Sequence, residues 1–258
     1  MQTSNAVLSG RVALVTGGGR GIGRGVALGL ARAGARVAVL ARTVPELAAT
    51  VAFVHEHGGR ALALPADVDD PGALRVALAV VVATFGPVEI LVNNAAVVWP
   101  LGPSAEVDPD EWTAALSVNV AAAARLSFMV LPSMLDASWG RIVNVSSGIA
   151  ANPTAMLRAN AYATTKAALE AHTRNLAAEL AGTGVTVNVF RPGSVDTAMQ
   201  TWIRAQDPAR IGAELHTRFV ASHRDGKLLT PEQSATSLVQ RLAGHETGEV
   251  WDATDAEV

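Results

Sequence analysis

Short, continuously apolar segments alternate with longer helical patterns along most of this chain, and this alternation constrains its fold more than any other feature. Arg11–Thr16 (RVALVT), Arg36–Ala41 (RVAVLA) and Arg141–Ser146 (RIVNVS) are the clearest of these segments. The others are Arg60–Pro65, Ile90–Asn93 and Thr186–Arg191. A strand that is apolar at successive positions has both faces buried, which is typical of a parallel sheet with helices on each side. The sequence therefore predicts an α/β fold with a doubly wound parallel sheet.

Helical patterns separate the predicted strands. They cover Gly23–Ala33, Pro45–Gly58, Asp70–Phe85, Asp108–Leu135 and Asn160–Thr183. No linker rich in Pro, Gly or Ser divides the chain, and no internal repeat is visible. Residues 1–258 are therefore predicted to form a single Rossmann-like domain.

The alternation stops after Arg191. Pro192–Gly226 has scattered polar residues and no clear strand. A segment of this length without a place in the sheet is usually a lid or a binding element, so residues 192–226 are predicted to be a substrate-binding lid. Pro231–Leu242 is then predicted to be a helix, and Glu249–Ala253 a last short strand.

Composition and charge argue against several classes of protein. The net charge of −3 and the pI near 6.1 lack the basic excess of a nucleic-acid-binding protein. The chain has no cysteine, and its six histidines show no metal-binding spacing, so no disulfide and no metal site are predicted. The apolar stretches Val76–Thr84 and Val118–Pro132 are not expected to span a membrane, because the first is short and the second contains Asn119 and Arg125. With no export segment in Met1–Arg11, we expect a cytoplasmic protein.

A glycine-rich turn, Thr16–Gly23 (TGGGRGIG), follows the first strand directly. Glycines allow a tight turn there and let the start of the next helix approach a bound pyrophosphate, whose charge the helix N-terminus favours. A tight strand–helix turn can also contain glycines for purely structural reasons; the position between strand and helix favours a dinucleotide site. The cofactor contacts predicted from this turn are Gly17, Gly19, Arg20, Gly21 and Ile22.

The end of the second strand is predicted to decide which dinucleotide binds. An acidic residue at this position bonds the ribose 2′-hydroxyl of NAD, whereas an arginine accommodates the 2′-phosphate of NADP. Here the strand ends Leu40-Ala41-Arg42-Thr43, with no carboxylate. Arg42, together with Arg20, offers cationic donors suited to a phosphate, although either could be an ordinary surface charge. The sequence favours NADP(H), with NAD(H) as the alternative.

Tyr162 is the only tyrosine of the chain, and it lies four residues before Lys166, one of two lysines. In a helix, side chains at this spacing share a face and can meet. A phenol has a reference pKa of about 10, and a nearby ammonium favours the phenolate, which suits acid–base chemistry near neutral pH. Many helices carry Tyr and Lys at this spacing without consequence, so the pair needs support from the rest of the chain.

That support comes from a series of motifs in which the chain resembles the short-chain dehydrogenase/reductase family in its compact form. After TGGGRGIG come Asp67 behind the third strand, NNAA at Asn93–Ala96 and Asn119 in the long helix. Ser147, YATTK at Tyr162–Lys166 and RPGSVDT at Arg191–Thr197 follow in order. The resemblance runs from about residue 10 to residue 197, and each motif alone is modest.

The resemblance implies a set of catalytic residues. Tyr162 would be the general acid in reduction and the general base in oxidation. Lys166 would hold the nicotinamide ribose and lower the pKa of Tyr162. Ser147 would hydrogen-bond the substrate carbonyl, where negative charge develops, and Asn119 would help organise a water that links Lys166 to solvent.

The resemblance also implies further cofactor contacts. Asp67 and Val68 would border the adenine, and Thr197 the carboxamide or phosphates. The nicotinamide end would be bordered by Asn93, Ala95, Pro192, Gly193 and Val195. For each of these residues packing or turn formation is the alternative reading; Asn93 and Asn94 could bond the backbone at a strand end, and Asp67 could cap a helix.

The chain departs from the family pattern at several positions. NNAA replaces the usual NNAG, and the gap between Ser147 and Tyr162 is a residue or two longer than the family pattern. Ser146 is therefore a rival to Ser147, and the insertion Asn152–Asn160 is predicted to form part of the pocket wall. The C-terminal end lacks the glycine-rich signature of many relatives, which puts the usual tail contacts between subunits in doubt.

These features together predict an oxidoreductase that transfers a hydride between NADP(H) and a carbonyl or secondary alcohol. An NAD-dependent secondary-alcohol dehydrogenase is the alternative, and a nucleotide-sensing protein without turnover is a third reading. Met199, Trp99 and Trp202 could line an apolar pocket for a small-molecule substrate, or could simply pack. The low charged fraction of 17% and the Ala-rich helix Asn160–Thr183 favour a homodimer or homotetramer.

Overall fold

The computed structural model describes residues 8–255, and its centre is a seven-stranded parallel sheet. The strands are β1 (Val12–Thr16), β2 (Arg36–Ala41), β3 (Arg60–Pro65), β4 (Ile90–Asn93), β5 (Gly140–Val145), β6 (Val185–Arg191) and β7 (Val250–Asp252). Their order across the sheet is β3-β2-β1-β4-β5-β6-β7. The predicted doubly wound fold is confirmed, because this order reverses direction between β1 and β4.

Helices connect the strands on both faces of the sheet. They are α1 (Gly21–Arg32), α2 (Val44–Glu56), α3 (Pro71–Phe85), α4 (Pro109–Leu116), α5 (Ala122–Asp136), α6 (Asn160–Glu179), α7 (Ala198–Arg204), α8 (Pro208–Ile211), α9 (Ala213–Arg224) and α10 (Pro231–Arg241). A π-helical turn, Ser117–Ala121, joins α4 to α5, where the sequence predicts one uninterrupted helix. The segment Pro192–Gly226 contains α7, α8 and α9 and no strand.

Two apolar clusters cover the two faces of the sheet. Val12 and Leu14 of β1 contact one cluster, which includes buried residues of α3, α5 and α6. Ala13 and Val15 contact the other, which includes buried residues of α1, α2 and α10. Successive β1 residues point to opposite faces, so a strand covered on both sides must be apolar throughout.

The continuous helix Pro109–Asp136 is long and apolar enough for a membrane span, with a mean hydropathy of 1.7 in its most apolar window. Its residues Leu126, Val130 and Met134 are buried in the cluster beneath the sheet. Core helices of soluble proteins pass the same test of length and composition, so one such helix is weak evidence for a span.

A third apolar cluster lies outside the sheet, beyond the carboxyl ends of the strands. It joins Tyr162 to Val98, Ile149 and Ile203 of the surrounding loops and helices, with Leu101, Ala159, Ala163, Ile211 and Leu215 also buried in it. This cluster holds α7, α8 and α9 against the end of the sheet at which the topology reverses. Ligands of such sheets bind at this end.

Candidate active site

A cavity of about 690 Å³ lies at the carboxyl ends of the strands. The predicted residues on its wall are Gly17, Gly19, Arg20, Gly21, Ile22, Arg42, Asp67, Val68, Ala95, Pro192 and Thr197, together with Tyr162 and Lys166. The predicted residues Asn93, Asn119, Ser147, Gly193 and Val195 are not part of the wall. The first group is spread over the whole sequence, and the fold brings it together.

The glycine-rich turn forms a concave cradle at the start of α1. Gly17 has a φ of +64°, and a Cβ placed there would lie 2.8 Å from Asn94 Nδ2. A Cβ on Gly23 would collide with the carbonyl oxygen of Gly17. The N-cap residue Arg20 makes no side-chain cap hydrogen bond, so within residues 8–255 the first backbone N–H groups of α1 are not capped by their own N-cap side chain. This cradle fits a dinucleotide pyrophosphate, whose oxygens would accept those N–H groups.

Thr16 and Asn94 hold the glycine turn against the loop after β4. The Thr16 hydroxyl accepts hydrogen bonds from the backbone N–H groups of Asn94 and Ala95, both at 3.0 Å. The Asn94 carboxamide donates to the Thr16 carbonyl at 2.9 Å. Asn94 also lines the cavity, and the sequence analysis assigned it no cofactor contact. The sequence feature that could have identified Asn94 as a site residue is its position next to Asn93, at the end of an apolar strand.

The side chain of Asn93 points away from the cavity. Its Nδ2 donates to Asn144 Oδ1 at 2.8 Å and lies near the Ser127 hydroxyl and the Ala123 carbonyl, both at 3.3 Å. Asn144 in turn donates to the Thr173 hydroxyl at 2.9 Å. This buried network joins β4 and β5 to α5 and α6. The Asn93 side chain therefore has a structural role, which was the alternative to a cofactor contact.

The two arginines expected near the adenosine lie on the cavity wall, and each has a carboxylate partner. Arg42 lies 3.7 Å from Asp67, and both side chains are largely exposed. Arg20 lies 3.2 Å from Glu46. Glu46 also lines the cavity and was not predicted. Its position one turn into α2 carries no motif, so only the folded arrangement shows it.

Asn119 lies in the π-helical turn between α4 and α5 and is almost completely buried. Its Oδ1 accepts from the backbone N–H of Val97, and its Nδ2 donates to the carbonyl of Val97, both at 2.8 Å. A third bond runs from Nδ2 to the Thr165 hydroxyl at 3.0 Å. Asn119 therefore clamps the loop after β4 to the helix that carries Tyr162.

The two neighbouring serines have different environments. Ser146 is buried, and its hydroxyl donates to Glu170 Oε1 at 2.9 Å. Ser147 is partly exposed and accepts from the backbone N–H of Ile149 at 3.4 Å, which leaves its hydroxyl proton free to donate. Ser147 also hydrogen-bonds with the Tyr162 hydroxyl.

Tyr162 and Lys166 lie on one face of α6, and Lys166 Nζ is 5.6 Å from the centre of the Tyr162 ring. Burial raises the pKa of Tyr162, and the hydrogen bond with Ser147 opposes that rise. Burial lowers the pKa of Lys166 to about 8, with the charge of Glu170 acting in the opposite direction. The expected lowering of the Tyr162 pKa by Lys166 is absent, because burial dominates and the ammonium donates to the Val145 carbonyl at 2.7 Å.

Glu170 occupies the next turn of the same helix face, and the sequence analysis missed it. Its carboxylate accepts from Arg191 Nε at 2.9 Å and from Nη2 at 2.8 Å, in addition to Ser146. Arg191 is the last residue of β6, directly before Pro192 on the cavity wall. The pair therefore fixes the end of β6 to the helix that carries Tyr162 and Lys166.

The outer side of the cavity is formed by the loop after β4 and by α7. Val98, Trp99, Met199 and Trp202 lie on this side. The Thr197 hydroxyl caps α7 by accepting from the Gln200 N–H at 3.5 Å. The insertion Asn152–Asn160 was predicted to form part of the pocket wall, and this prediction is wrong, because none of its residues lines the cavity. The insertion contains a 3₁₀ turn, and its Met156 packs against the third cluster behind the wall.

No group of His, Asp or Glu with metal-binding geometry occurs among residues 8–255. The cavity instead combines a place for a dinucleotide with a buried phenol and an ammonium at its inner end. The class of protein that this fold and site define is that of the dinucleotide-dependent oxidoreductases.

The family model described as short chain dehydrogenase matches residues 11–208. The chain belongs to this family of NAD(P)-dependent dehydrogenases and reductases, which act on alcohol or carbonyl groups. The resemblance seen in the sequence motifs is confirmed.

Individual relatives support this membership. A short chain dehydrogenase of Pseudocercospora fijiensis is 42% identical over 194 residues, which cover 74% of this chain and 62% of that protein. The short-chain reductase protein NovJ of Streptomyces niveus is 37% identical over 258 residues, covering 96% of this chain and 94% of that protein. A protein from Beutenbergia cavernae, assigned as an NAD(P)-dependent gluconate 5-dehydrogenase and solved with bound NADP, has a TM-score of 0.83 and 36% identity, over 95% of this chain and 96% of that one.

Proposed function

We propose that this protein transfers a hydride between NADP(H) and a carbonyl or secondary-alcohol carbon. The observation that carries the proposal is the buried Tyr162 hydroxyl, which hydrogen-bonds with Ser147 and shares a helix face with Lys166 at the inner end of a cavity that also contains the glycine cradle. A phenol in this position is a proton donor within reach of a substrate oxygen.

The residues of the cavity fit the parts of a dinucleotide. The cradle of Gly17, Gly19, Arg20, Gly21 and Ile22 would hold the pyrophosphate. Asp67 and Val68 would border the adenine, and the nicotinamide end would lie near Ala95, Pro192 and Thr197, with Asn93, Gly193 and Val195 outside the cavity wall. When bound, the nicotinamide supplies or accepts the hydride.

The protein's own residues would handle the proton. In reduction, Tyr162 donates its proton to the carbonyl oxygen, on which negative charge develops, and regains a proton from solvent. Ser147 donates a hydrogen bond to the same oxygen. Ser146 lines the cavity, but its hydroxyl is already bonded to Glu170, so we assign this role to Ser147. Lys166 would hold the nicotinamide ribose, and Asn119 would act by positioning the helix and the loop.

Arg42 and Arg20 favour NADP(H) over NAD(H). Arg42 ends β2 at the position that meets the 2′ group, and its guanidinium is 73% exposed and free to turn toward a phosphate. NADP is also the nucleotide bound by the Beutenbergia cavernae protein.

One observation favours the alternative of an NAD-dependent secondary-alcohol dehydrogenase. Asp67 and Glu46 lie beside Arg42 and Arg20, so each cation is already paired with a carboxylate. A nucleotide without the 2′-phosphate would leave both pairs undisturbed.

The proposal is tested by following NADPH oxidation with a panel of ketones. Wild-type protein should reduce part of the panel, and Tyr162→Phe should lower kcat by about 100-fold or more while leaving NADPH affinity unchanged, since the ring but not the proton is kept. Wild-type protein that binds NADPH yet reduces no ketone would support a nucleotide sensor instead. Equal turnover by Tyr162→Phe would remove the basis of the assignment.

We also propose a homo-oligomer assembled through α5 and α6. Phe128 on α5 is 56% exposed and packs edge-on against His172 of α6, with ring centres 5.7 Å apart. Arg125 Nη1 and His172 Nε2 are buried and have no hydrogen-bond partner among the described residues. An exposed aromatic ring beside unsatisfied polar atoms suits a surface that a second copy would cover. A cytoplasmic location accords with a supply of reduced nicotinamide nucleotide.

A further inference from the structure

Charged residues are confined to one part of the cavity wall. Those on the wall are Arg20, Arg42, Glu46, Asp67 and Asp69, together with Lys166. The first five follow β1, β2 and β3, where the adenosine half of the nucleotide would lie. Lys166 is buried below Tyr162 and donates to the Val145 carbonyl.

The opposite part of the wall, beyond Tyr162, is uncharged and largely apolar. Val98 and Trp99 approach it from the segment after β4, and Met199 and Trp202 from α7. Two indoles therefore belong to a wall that would face the substrate. Indole faces and aliphatic side chains favour apolar or aromatic groups.

The packing behind this wall is apolar as well. Val98 and Tyr162 belong to the third cluster with Ile203, and Met156 and Met199 pack against it. If a side chain of this wall moved aside, it would expose further apolar side chains rather than a second layer of polar groups. A substrate carboxylate placed here would lose its water and gain no counter-charge, which is strongly unfavourable.

The four arginines of the lid have other partners and lie outside the cavity wall. Arg218 donates to the Ala155 carbonyl, and Arg224 donates to Asp225 Oδ1 at 2.8 Å. Arg204 lies 3.7 Å from Asp196 and donates to the Thr201 hydroxyl at 3.0 Å. Its Nη1 has no hydrogen-bond partner within residues 8–255, but the residue is not on the cavity wall. Arg210 Nε donates to the Leu101 carbonyl at 2.9 Å. None of the four guanidinium groups is placed to meet an anion beside Tyr162.

We infer that the substrate is a neutral, apolar ketone, or the matching alcohol, with an aromatic or alicyclic group next to the reacting carbon. This inference rests on the proposed function. It separates this protein from its Beutenbergia cavernae neighbour, which is named for a polyhydroxylated acid. A keto acid or a sugar acid would bring charge or many hydroxyl groups against the Trp99–Met199–Trp202 wall.

A matched pair of ketones tests the inference. Methyl 4-acetylbenzoate and 4-acetylbenzoate share one skeleton and differ in charge. With NADPH, we expect kcat/KM for the ester to exceed that for the acid by about 100-fold or more, because only the acid must bury a charge. Calorimetric binding to Tyr162→Phe protein saturated with NADP⁺ should rank the two compounds in the same order without any turnover.

A second experiment tests the same inference by introducing a positive charge into the wall. Met199→Lys should shift the ester-to-acid ratio of kcat/KM toward the acid by about 10-fold or more, since it supplies the missing cation. Trp202→Arg, at a more exposed position of α7, gives the same readout if Met199→Lys does not fold. Val220→Lys is the matched control, because Val220 is exposed on α9 and outside the cavity, and its ratio should equal that of the wild type.

The outcomes separate the two claims. Reduction of the acid, or of 5-ketogluconate, as efficient as that of the ester would overturn the substrate class and leave the proposed function standing. An unchanged ratio in Met199→Lys and Trp202→Arg would show that this wall does not meet the substrate. If neither ketone nor any other of a broad panel were reduced by protein that binds NADPH, the proposed function itself would fail, and the substrate class with it.

Discussion

Tyr162 and Lys166 occupy a face of α6 that is almost fully buried, and burial has opposite effects on the two groups. It raises the pKa of the phenol and lowers that of the ammonium to about 8, because each shift favours the neutral form. Without a nucleotide the two groups therefore resist ionisation. The charge of Glu170 acts against this trend at Lys166 and helps to keep it protonated near neutral pH.

The depressed pKa of Lys166 makes a prediction about stability. Between about pH 8 and pH 10.5 the unfolded chain binds the Lys166 proton and the folded chain releases it, so the free energy of unfolding rises with pH across this window. Lys166→Met should remove about 2 kcal/mol of the rise between about pH 7.5 and pH 9.5. Urea unfolding of both proteins at these two pH values measures it.

Above about pH 10 Tyr162 contributes with the opposite sign, because its raised pKa lets the unfolded chain lose that proton first. The measurement is therefore kept below this pH. Lys227→Met serves as the control, since Lys227 is exposed and should leave the pH dependence unchanged. An identical rise in wild type and Lys166→Met would contradict the burial of a titrating ammonium.

Arg42 makes a second prediction at the scale of a single residue. Arg42→Ala should weaken NADPH binding by roughly 30-fold, or about 2 kcal/mol, because it removes a charge-assisted hydrogen bond to the 2′-phosphate. NADH binding should be unchanged. Arg75→Ala, which removes an exposed arginine away from the cavity, is the control. A preference for NADH that Arg42→Ala does not alter would favour the NAD-dependent alternative.

At the scale of elements, the π-helical turn Ser117–Ala121 is the feature that shapes the site most. It carries Asn119, which satisfies both backbone groups of Val97. Turns of this kind are rare inside helices and frequent at functional sites. The loop it holds continues into Val98 and Trp99 on the cavity wall, so this turn positions one side of the substrate region.

Replacing Asn119 should lower the free energy of unfolding. Asn119→Leu removes three hydrogen bonds and leaves the partly buried N–H and C=O of Val97 without these partners, so we expect a loss of about 2–4 kcal/mol in the free energy of unfolding. Chemical denaturation measures this loss. Asn152→Leu alters an exposed asparagine and should cost less than about 0.5 kcal/mol. Similar stabilities for the two variants would mean that the clamp is not formed.

The sequence could predict elements whose signal is local. The strands appear in it because residues buried on both faces must be apolar at every position, as in Val12–Thr16. The π turn could not be predicted, because its residues are compatible with an ordinary helix. The helices α7, α8 and α9 were missed because their polar, exposed positions hide the few residues, such as Ile203, that reach the third cluster.

The site was predictable where a motif fixes the residues and not where distant segments meet. Thirteen predicted residues lie on the cavity wall, and their roles there stay a prediction. Glu170 was missed because one carboxylate in an Ala-rich helix resembles a solvated side chain, and its partners Ser146 and Arg191 come from two strands. Its spacing of four residues from Lys166, which places it on the Tyr162 face, was the signal that could have found it.

At the scale of the whole molecule, the exposed aromatic surface of α5 and α6 makes a prediction about assembly. Phe128→Glu should dissociate the proposed homo-oligomer, because it places a charge where an apolar ring would be covered. Light scattering coupled to gel filtration gives the mass of each species. Val76→Glu is the control, since Val76 is 66% exposed on α3, away from this surface. A wild-type protein that is monomeric at micromolar concentration would refute the proposal.

The helices α7, α8 and α9 lie between β6 and α10, outside both layers that cover the sheet. The wall they contribute can therefore diverge without disturbing most of the proposed nucleotide contacts, since those come mainly from loops that precede these helices in the chain. The segment α7–α9 can therefore be exchanged between family members independently of the rest of the fold. Grafting the corresponding segment of another family member should transplant substrate choice while coenzyme choice stays with the host.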